Sequence, residues 1–119
     1  MSLIDNNQVT LLGKFLDLSA HRQGLISANI ANIDTPGYRT KDINFRSELQ
    51  RAAQGIDSPL GPTPRDVPGL TERPDGNNVS IDRESMLLSE TQLQFRLGVQ
   101  LMKSEFKKIS MAINDGKAA

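Results

Sequence analysis

The chain contains 119 residues, enough for one domain, and its 14 basic and 14 acidic residues give a formal net charge of zero. This balance argues against a general nucleic-acid binder, which needs a surplus of Lys and Arg to displace counterions from phosphates. The sequence has no cysteine, which excludes disulfides and thiolate metal sites, and only 4% of its residues are aromatic.

The first long element that the apolar pattern predicts is a helix over residues 8–33. A polar break at residues 19–24 interrupts its apolar face, but Gly24 alone is a weak turn signal, so we expect one continuous helix. The start of the chain lacks a charged region followed by an apolar run, and we therefore expect no cleaved secretory signal. No apolar stretch reaches the roughly 18 residues that predict a membrane-spanning helix.

A turn and a short helix are predicted after the first long helix. Pro36 disfavours helical geometry in the residue before it, and Pro36-Gly37 fits the central positions of a type II turn. Residues 41–44 are predicted to be extended. Asn44 is then placed to cap a short helix over residues 45–54.

Residues 55–78 form a predicted loop between the two helical regions. Five of the six prolines lie there, and prolines this dense are incompatible with helices and central strands. A loop of this length is typical of a functional excursion or of a flexible linker. Asp75-Gly76 predicts a tight turn near its end.

The last third of the chain predicts the longest helix, over residues 82–115, and we expect the rest of the chain to pack on it. Asp82 is placed to cap this helix and Gly116 to end it. Alternating steps of four and three residues define a predicted apolar seam for pairing with the first helix. The seam residues are Leu88, Phe95, Val99, Met102, Phe106, Ile109 and Ile113. A second apolar row flanks the seam and consists of Leu93, Leu97 and Leu101.

The sequence thus predicts an all-α fold. Two long terminal helices pair as a coiled-coil-like hairpin, joined by a Pro/Gly-rich extended loop with one short helix. The expected organisation is residues 1–34 for the N-terminal helix, 35–81 for the turn, short helix and loop, and 82–119 for the C-terminal helix. Such a hairpin is marginal as a monomer because it has few large side chains for a core. We expect neighbouring subunits to complete the packing, with the flanking row as the inter-subunit contact.

No pattern in the chain predicts an enzyme, a metal site or a cofactor site. His21 is the only histidine, and no nucleophile or carboxylate partner stands in register with it, so a surface position is expected. Asp75-Gly76-Asn77 shares the start of a calcium loop but lacks the other ligands, which favours a plain turn.

Two asparagines near the end of the first helix, Asn29 and Asn32, need an explanation. Each fits a helix-end cap, taken separately. Two asparagines three residues apart beside an apolar stripe are costly, however, if their amides are buried without partners. We therefore expect Asn29 and Asn32 to hydrogen-bond across an interface and to set its register.

Residues 28–39, with the sequence ANIANIDTPGYR, resemble the N-terminal signature of the bacterial flagellar axial proteins, the family of rod, hook and hook-associated subunits. The signature positions are Asn29, Asn32, Thr35, Pro36, Gly37 and Tyr38. The Thr-Pro-Gly-Tyr version is more similar to the rod members. Four further stretches are similar to one basal-body rod protein, namely residues 41–45, 75–79, 82–84 and 101–108. A related rod subunit would end in a Tyr-Gln-Ala-Asn type of segment, which is absent here.

The resemblance implies a structural subunit of the flagellar basal-body proximal rod, a shaft that crosses the periplasm and transmits torque. Subunits of this family pack through their paired terminal helices. The implied partners are copies of itself, other rod proteins, the rod–ring adaptor FliE and the flagellar type III export apparatus, which exports subunits without a cleaved signal. Nucleic acid and small-molecule substrates are not implied.

Two alternatives stay open at this point. The first is another rod subunit of the same family. The second, from a different class, is a soluble coiled-coil adaptor or secretion chaperone. Proteins of that second kind fold as discrete dimers, so a stable small oligomer with a sharp two-state melt would favour them.

Overall fold

The computed structural model describes residues 6–56 and 60–118. Three helices and two short strands follow in chain order: α1 (Asn6–Ala31), β1 (Lys41–Asp42), α2 (Phe45–Ala53), β2 (Arg65–Asp66) and α3 (Ile81–Ala118). The predicted all-α fold with two long terminal helices is therefore confirmed. The first five residues and the last residue of the predicted terminal segments lie outside the described residues, as does a small part of the predicted loop.

Helix α1 runs without a break through its polar middle, as the sequence predicts. Its 26 residues make a rod of about 39 Å. Two polar side chains there have hydrogen-bond partners, one in the same helix and one in a later segment of the chain. Ser19 is fully buried and its hydroxyl donates to the Phe15 carbonyl oxygen at 2.9 Å, while Arg22 pairs with Asp42 outside the helix. The polar residues therefore bond instead of breaking the helix.

Helices α1 and α3 form an antiparallel hairpin. Near its closed end Asn29 hydrogen-bonds Glu84, and fourteen residues further along each helix Phe15 faces Gly98. If this pairing continues, the start of α1 lies opposite about residue 107, and the last three turns of α3 extend beyond it. The molecule measures 71 × 26 × 18 Å. Its radius of gyration of 18.8 Å exceeds the roughly 13.5 Å of a compact domain of this length, so the subunit is itself a rod.

In the first half of α3, the face that packs on α1 lies one residue earlier than the predicted seam, whereas further along the seam residues Met102 and Ile109 are half-buried. We call this face the packed row; its buried members are Glu84, Leu87, Thr91 and Gly98. Apart from Leu87 these members are small or polar, and at Gly98 the two helices approach closely. A Cβ atom added at Gly98 would lie 2.7 Å from Leu16 Cδ2 and 3.0 Å from Phe15 Cδ1. The larger apolar side chains of α3 are consequently turned to its flanks.

Helix α2 packs on α1 through an aromatic pair. The rings of Phe15 and Phe45 meet edge to face, with centroids 5.5 Å apart and an interplanar angle of 88°. Asn44 caps α2 as predicted, because its side-chain oxygen accepts a hydrogen bond from the Ser47 N–H at 3.1 Å. Gly55 follows the helix with a φ of 75°, the left-handed conformation that ends many helices.

The predicted loop contributes one strand of a short pair that the sequence did not predict. Strands β1 and β2 are antiparallel, with Lys41 opposite Asp66, and these two side chains form an ion pair. The Val67 N–H extends the pairing by donating to the Thr40 carbonyl oxygen at 3.1 Å. The strand pair ties part of the proline-rich loop to the segment that follows α1.

The predicted ends of α3 are wrong by a few residues. Asp82 does not cap the helix, because the Ser80 hydroxyl accepts the hydrogen bond from the Arg83 N–H at 3.3 Å. Asp82 lies inside the first turn, where its negative charge favours the helix dipole. Gly116 does not end the helix, which continues to Ala118. A glycine inside a helix costs only about 1 kcal/mol, so it need not stop one.

The close approach at Gly98 predicts that substitutions at two helical glycines, Gly98 and Gly24, change the free energy of unfolding in opposite directions. Gly98→Leu should lower the free energy of unfolding by about 2 kcal/mol, because an overpacked contact costs more than the improved helix propensity returns. Gly24→Leu is the matched control, since no atom lies within 4 Å of a Cβ added there. It should raise stability by about 0.5 kcal/mol. Urea unfolding followed by circular dichroism measures both, and equal effects would contradict the tight helix contact.

Candidate functional site

The signature residue Asn29 is the centre of a buried polar cluster at the closed end of the hairpin. Its side chain is 1% exposed, and its NH2 group donates to the Lys41 carbonyl oxygen at 2.8 Å and to Glu84 Oε2 at 3.2 Å. Its side-chain oxygen accepts from the Tyr38 hydroxyl at 3.0 Å and from the Lys41 N–H at 3.1 Å. One amide thus joins α1, the turn after it and the start of α3.

Two arginines and two carboxylates continue this cluster. Arg22 holds Asp42 with two hydrogen bonds, at 3.1 and 3.0 Å. Arg83 binds Asp42 at 2.9 Å with one nitrogen and Glu84 at 2.7 Å with another. Glu84 is fully buried and returns to Asn29, so the cluster is continuous. We call it the polar clamp; its two positive and two negative charges balance.

Burial and the polar clamp have opposite effects on the pKa of Asp42. Burial, the largest single influence, by itself would raise the pKa of the Asp42 carboxyl, and the hydrogen bonds and charge of Arg22 oppose it. The Ile43 N–H and the Arg83 guanidinium add to this effect, so the pKa lies below its ordinary value. Asp42 is consequently ionised in the folded chain at neutral pH.

Burial also raises the pKa of the Tyr38 phenol above its ordinary value. The positive charge of Lys41 opposes this rise, while the negative charge of Glu84 adds to it. Tyr38 is therefore neutral at physiological pH and keeps the proton that it donates to Asn29.

The second signature asparagine, Asn32, bonds close to its own helix. Its NH2 group donates to the Ala28 carbonyl oxygen at 2.7 Å, and its side-chain oxygen accepts from the Thr35 hydroxyl at 3.0 Å. Its backbone oxygen accepts from the Asn77 side chain at 2.9 Å. Asn29 thus bonds across the contact between α1 and α3, whereas the Asn32 side chain closes the end of α1.

Two glycine turns meet beside the clamp. Gly37 has a φ of 74°, and the Tyr38 N–H donates to the Thr35 carbonyl oxygen at 3.2 Å, as the predicted type II turn requires. The Gly37 N–H donates to the Asp75 carbonyl oxygen at 2.8 Å. A Cβ atom added at Gly76 would lie 3.3 Å from Gly37 Cα, so this close approach favours glycine at position 76, whereas Gly37 is favoured by its positive φ alone.

The residues after the second turn are buried and bonded, which the sequence analysis missed. Asn77 is fully buried and donates to the backbone oxygens of Asn32 and Thr35 at 2.9 and 2.8 Å. Asn78 is 3% exposed, and its side-chain oxygen accepts from the Thr40 N–H at 2.7 Å. Two adjacent asparagines after Asp-Gly were the available signal, because asparagine side chains substitute for missing backbone partners in turns.

The residues of the predicted seam and of the flanking row differ in how far they are exposed. Leu88, Val99, Met102 and Ile109 are half-buried, whereas Phe95, Phe106 and Ile113 are exposed. The flanking residues Leu93, Leu97 and Leu101 are 68%, 56% and 47% exposed. Residues immediately before and after Gly98 project about 100° to either side of the packed row. Leu97 and Val99 therefore lie on opposite flanks of the helix.

An apolar groove opens on the Leu97 side of the hairpin. It measures about 360 Å³ and is lined by side chains of all three helices. We call this cavity the groove. Its apolar lining consists of Leu11, Leu12, Phe15, Leu49, Leu97 and Leu101. Gln8 and Glu105 complete the rim. On the opposite flank of α3 lie the exposed side chains of Phe95, Phe106 and Ile113 and the half-buried Val99, which we call the outer row.

Two other kinds of site were considered for the described part of the chain. Over residues 6–56 and 60–118, no group of three or more His, Asp or Glu side chains is placed to hold a metal ion. No helix among these residues is long and apolar enough to cross a membrane. His21 is partly buried in a second cavity of about 320 Å³, together with Lys14, Asp17 and Glu48.

The comparisons with known proteins agree with the signature. Residues 18–39 match the family model described as "Flagella basal body rod protein". The chain is 32% identical to the flagellar basal body rod protein FlgB of Salmonella typhimurium over 85% of its own length and 88% of that protein. It is 30% identical to FlgB of Escherichia coli K12 over the same shares, and 30% identical to FlgB of Borrelia hermsii over 88% and 94%.

The helix hairpin, the clamp built on the signature and these similarities define a structural subunit of the flagellar basal-body rod. More particularly, the chain belongs to the FlgB family of rod proteins. The resemblance to one basal-body rod protein that the sequence shows is thereby confirmed.

The clamp predicts a pH-dependent cost for one substitution. Asp42→Asn should lower the free energy of unfolding by about 3 kcal/mol at pH 7, because it leaves two partly buried arginines without their shared carboxylate. The pKa of Asp42 is lowered by folding, so its contribution is present above the ordinary carboxyl pKa of about 3.9 and is lost as the pH falls through the lowered value. The cost should therefore shrink below about pH 4.

Asp66→Asn is the matched control for this experiment. The ion pair of Asp66 with Lys41 is solvent-exposed, so its loss should cost less than about 1 kcal/mol. Urea unfolding at pH 7, 5 and 3 measures both variants. A cost for Asp42→Asn that equals the control, or that stays constant from pH 7 to pH 3, would contradict the clamp.

Proposed function

We propose that this rod subunit belongs to the proximal part of the shaft and polymerises through its two long helices to transmit torque. It works as a mechanical part and has no catalytic role. The exposed apolar side chains on both flanks of α3 carry this proposal. A lone soluble domain has no use for such a surface, whereas a shaft subunit needs one toward its neighbours.

The polar clamp suits a subunit under load. Apolar contacts are non-directional and tolerate sliding, whereas the hydrogen bonds of Asn29 and the two-point pairing of Arg22 with Asp42 fit only one arrangement. In this proposal Asn29 sets the axial register of α1 against α3. Asn32 and the turn from Thr35 to Tyr38 redirect the chain into the loop.

The proposed partners are copies of the chain, other rod proteins and the rod–ring adaptor FliE. The subunit leaves the cell interior through the flagellar type III export apparatus without a cleaved signal and resides in the rod where it crosses the periplasm. The resemblance of residues 28–39 to the axial signature and the FlgB-like similarity support these assignments. Co-purification of tagged chain with FliE tests the adaptor contact, and its absence under conditions that recover other rod proteins would contradict it.

A charge placed on the exposed flank tests polymerisation in cells. Leu97→Asp should abolish basal-body rods and swimming, because it buries an unpaired carboxylate at a subunit contact. The side chain is 56% exposed, so the isolated fold should survive. Circular dichroism of the purified variant checks the fold, and electron microscopy of basal bodies checks the rods.

Gln100→Asp is the control on the same helix, three residues along and exposed on the side turned away from the packed row. It introduces the same charge and should leave rods and swimming intact. Normal basal bodies in the Leu97→Asp strain would overturn the assembly role of this flank.

A further inference from the structure

The backbone oxygens just after α1 are bonded by a segment that lies far along the chain. A helix leaves its last carbonyl oxygens without partners of its own. Here the Asn77 NH2 group donates to the Asn32 and Thr35 carbonyl oxygens, at 2.9 and 2.8 Å. The Arg73 guanidinium donates to the Ile33 carbonyl oxygen. We call residues 73–78 the capping segment, because they close the end of α1.

The Asn77 side chain is bonded at both ends. Its NH2 group is used by the two oxygens after α1, and its side-chain oxygen accepts from the Val79 N–H at 2.9 Å. Because Asn77 is fully buried, a lost bond would leave an unpaired polar group that water does not reach. Asn77 therefore fits only one position of the turn relative to the capping segment.

The capping segment also holds the backbone around Tyr38. The Gly37 N–H donates to the Asp75 carbonyl oxygen at 2.8 Å. The Tyr38 carbonyl oxygen accepts from the Asn78 N–H at 3.3 Å. The position of the backbone limits the directions that a side chain can take, and the Tyr38 hydroxyl donates to the Asn29 side-chain oxygen at 3.0 Å. A shift of the capping segment would therefore move the phenol away from Asn29.

We infer that Asn77 is a positioning residue for Asn29: it holds the turn so that the Tyr38 hydroxyl reaches the Asn29 side-chain oxygen. The inference rests on the proposed role of Asn29 in setting the register of α1 against α3. It couples two parts of the chain that are far apart in sequence, since the end of the proline-rich loop must be docked before the register is fixed. The loop is then part of the device that aligns the two long helices.

A shorter route from Asn77 to α3 competes with this one. The Asn77 side-chain oxygen bonds the Val79 N–H, and α3 begins shortly afterwards at Ile81. Along that route the effect of Asn77 does not depend on the Tyr38 hydroxyl. Asn77→Asp separates the two routes, because it keeps an oxygen for Val79 and loses both donors to the turn.

A double-mutant cycle with Tyr38→Phe tests the route through the turn. Urea unfolding followed by circular dichroism measures the unfolding equilibrium constant of each variant. Asn77→Asp should raise this constant about tenfold more in the wild-type chain than in the Tyr38→Phe chain, where the bond from Tyr38 to Asn29 is already absent. Arg73→Ala is the matched control from the same segment. Its bond goes to Ile33, before the turn, so its effect should be equal in both chains.

The fluorescence of Tyr38 supplies a second measurement. Tyr38 is the only tyrosine, and the sequence has no tryptophan. Quenching by acrylamide at neutral pH should increase in Asn77→Asp, because the phenol becomes more accessible, and should stay unchanged in Arg73→Ala. If Asn77→Asp does not fold in buffer, both measurements are made in trimethylamine N-oxide, which strengthens apolar burial.

Additive effects in the cycle, or unchanged quenching in folded Asn77→Asp, would overturn the inference. Asn77 would then act on α3 through Val79. The proposed function would be unaffected by that result, since the basal bodies of the Leu97→Asp strain test it separately.

Discussion

The structure depends on the bonding of one buried amide, that of Asn29. An asparagine side chain has two donors and one strong acceptor, and here both ends are used: the NH2 group by Lys41 and Glu84, the oxygen by Tyr38 and Lys41. Burial makes each unmade bond costly, so the partners are held in place by the penalty for losing them. Through Glu84 the constraint passes to Arg83, and from there to Asp42 and Arg22.

The contacts between the two long helices differ from one end of the hairpin to the other. At the closed end, specific polar bonds fix the two helices in one register. Further along, Leu18, Ile26 and Leu87 are buried, and Gly98 lets the helices approach closely. The large side chains of α3, including Leu97 and Phe106, are left on the flanks. The exposed apolar groups of α3 would stabilise the subunit further on assembly, because that part of its apolar area is buried only then.

Much of the fold could be predicted from the sequence because its signals are local. The signals for the two long helices, the cap at Asn44 and the turn at Pro36-Gly37 act over a few residues, and these features are found where the sequence predicts them. The packed row was missed by one residue because the period of a helix does not say which of two adjacent rows faces the partner. A glycine inside a long helix is compatible with a close approach, as at Gly98, but Gly24 in α1 has open space around it, so the sequence alone does not tell the two apart.

The clamp could be predicted only in part, because the residues that its hydrogen bonds join are far apart in the sequence. Asn29 was recognisable as an amide in need of partners, but Glu84 lies 55 residues away and carries no local sign of burial. A glutamate in the first turn of a helix is normally a solvated residue that favours the helix dipole. Here the neighbouring Arg83 compensates the charge of Glu84, and the Asn29 amide supplies a donor. Glu84 is therefore stable in its buried position only when the hairpin has formed. Register and burial at this end are therefore properties of the closed hairpin, and neither helix possesses them alone.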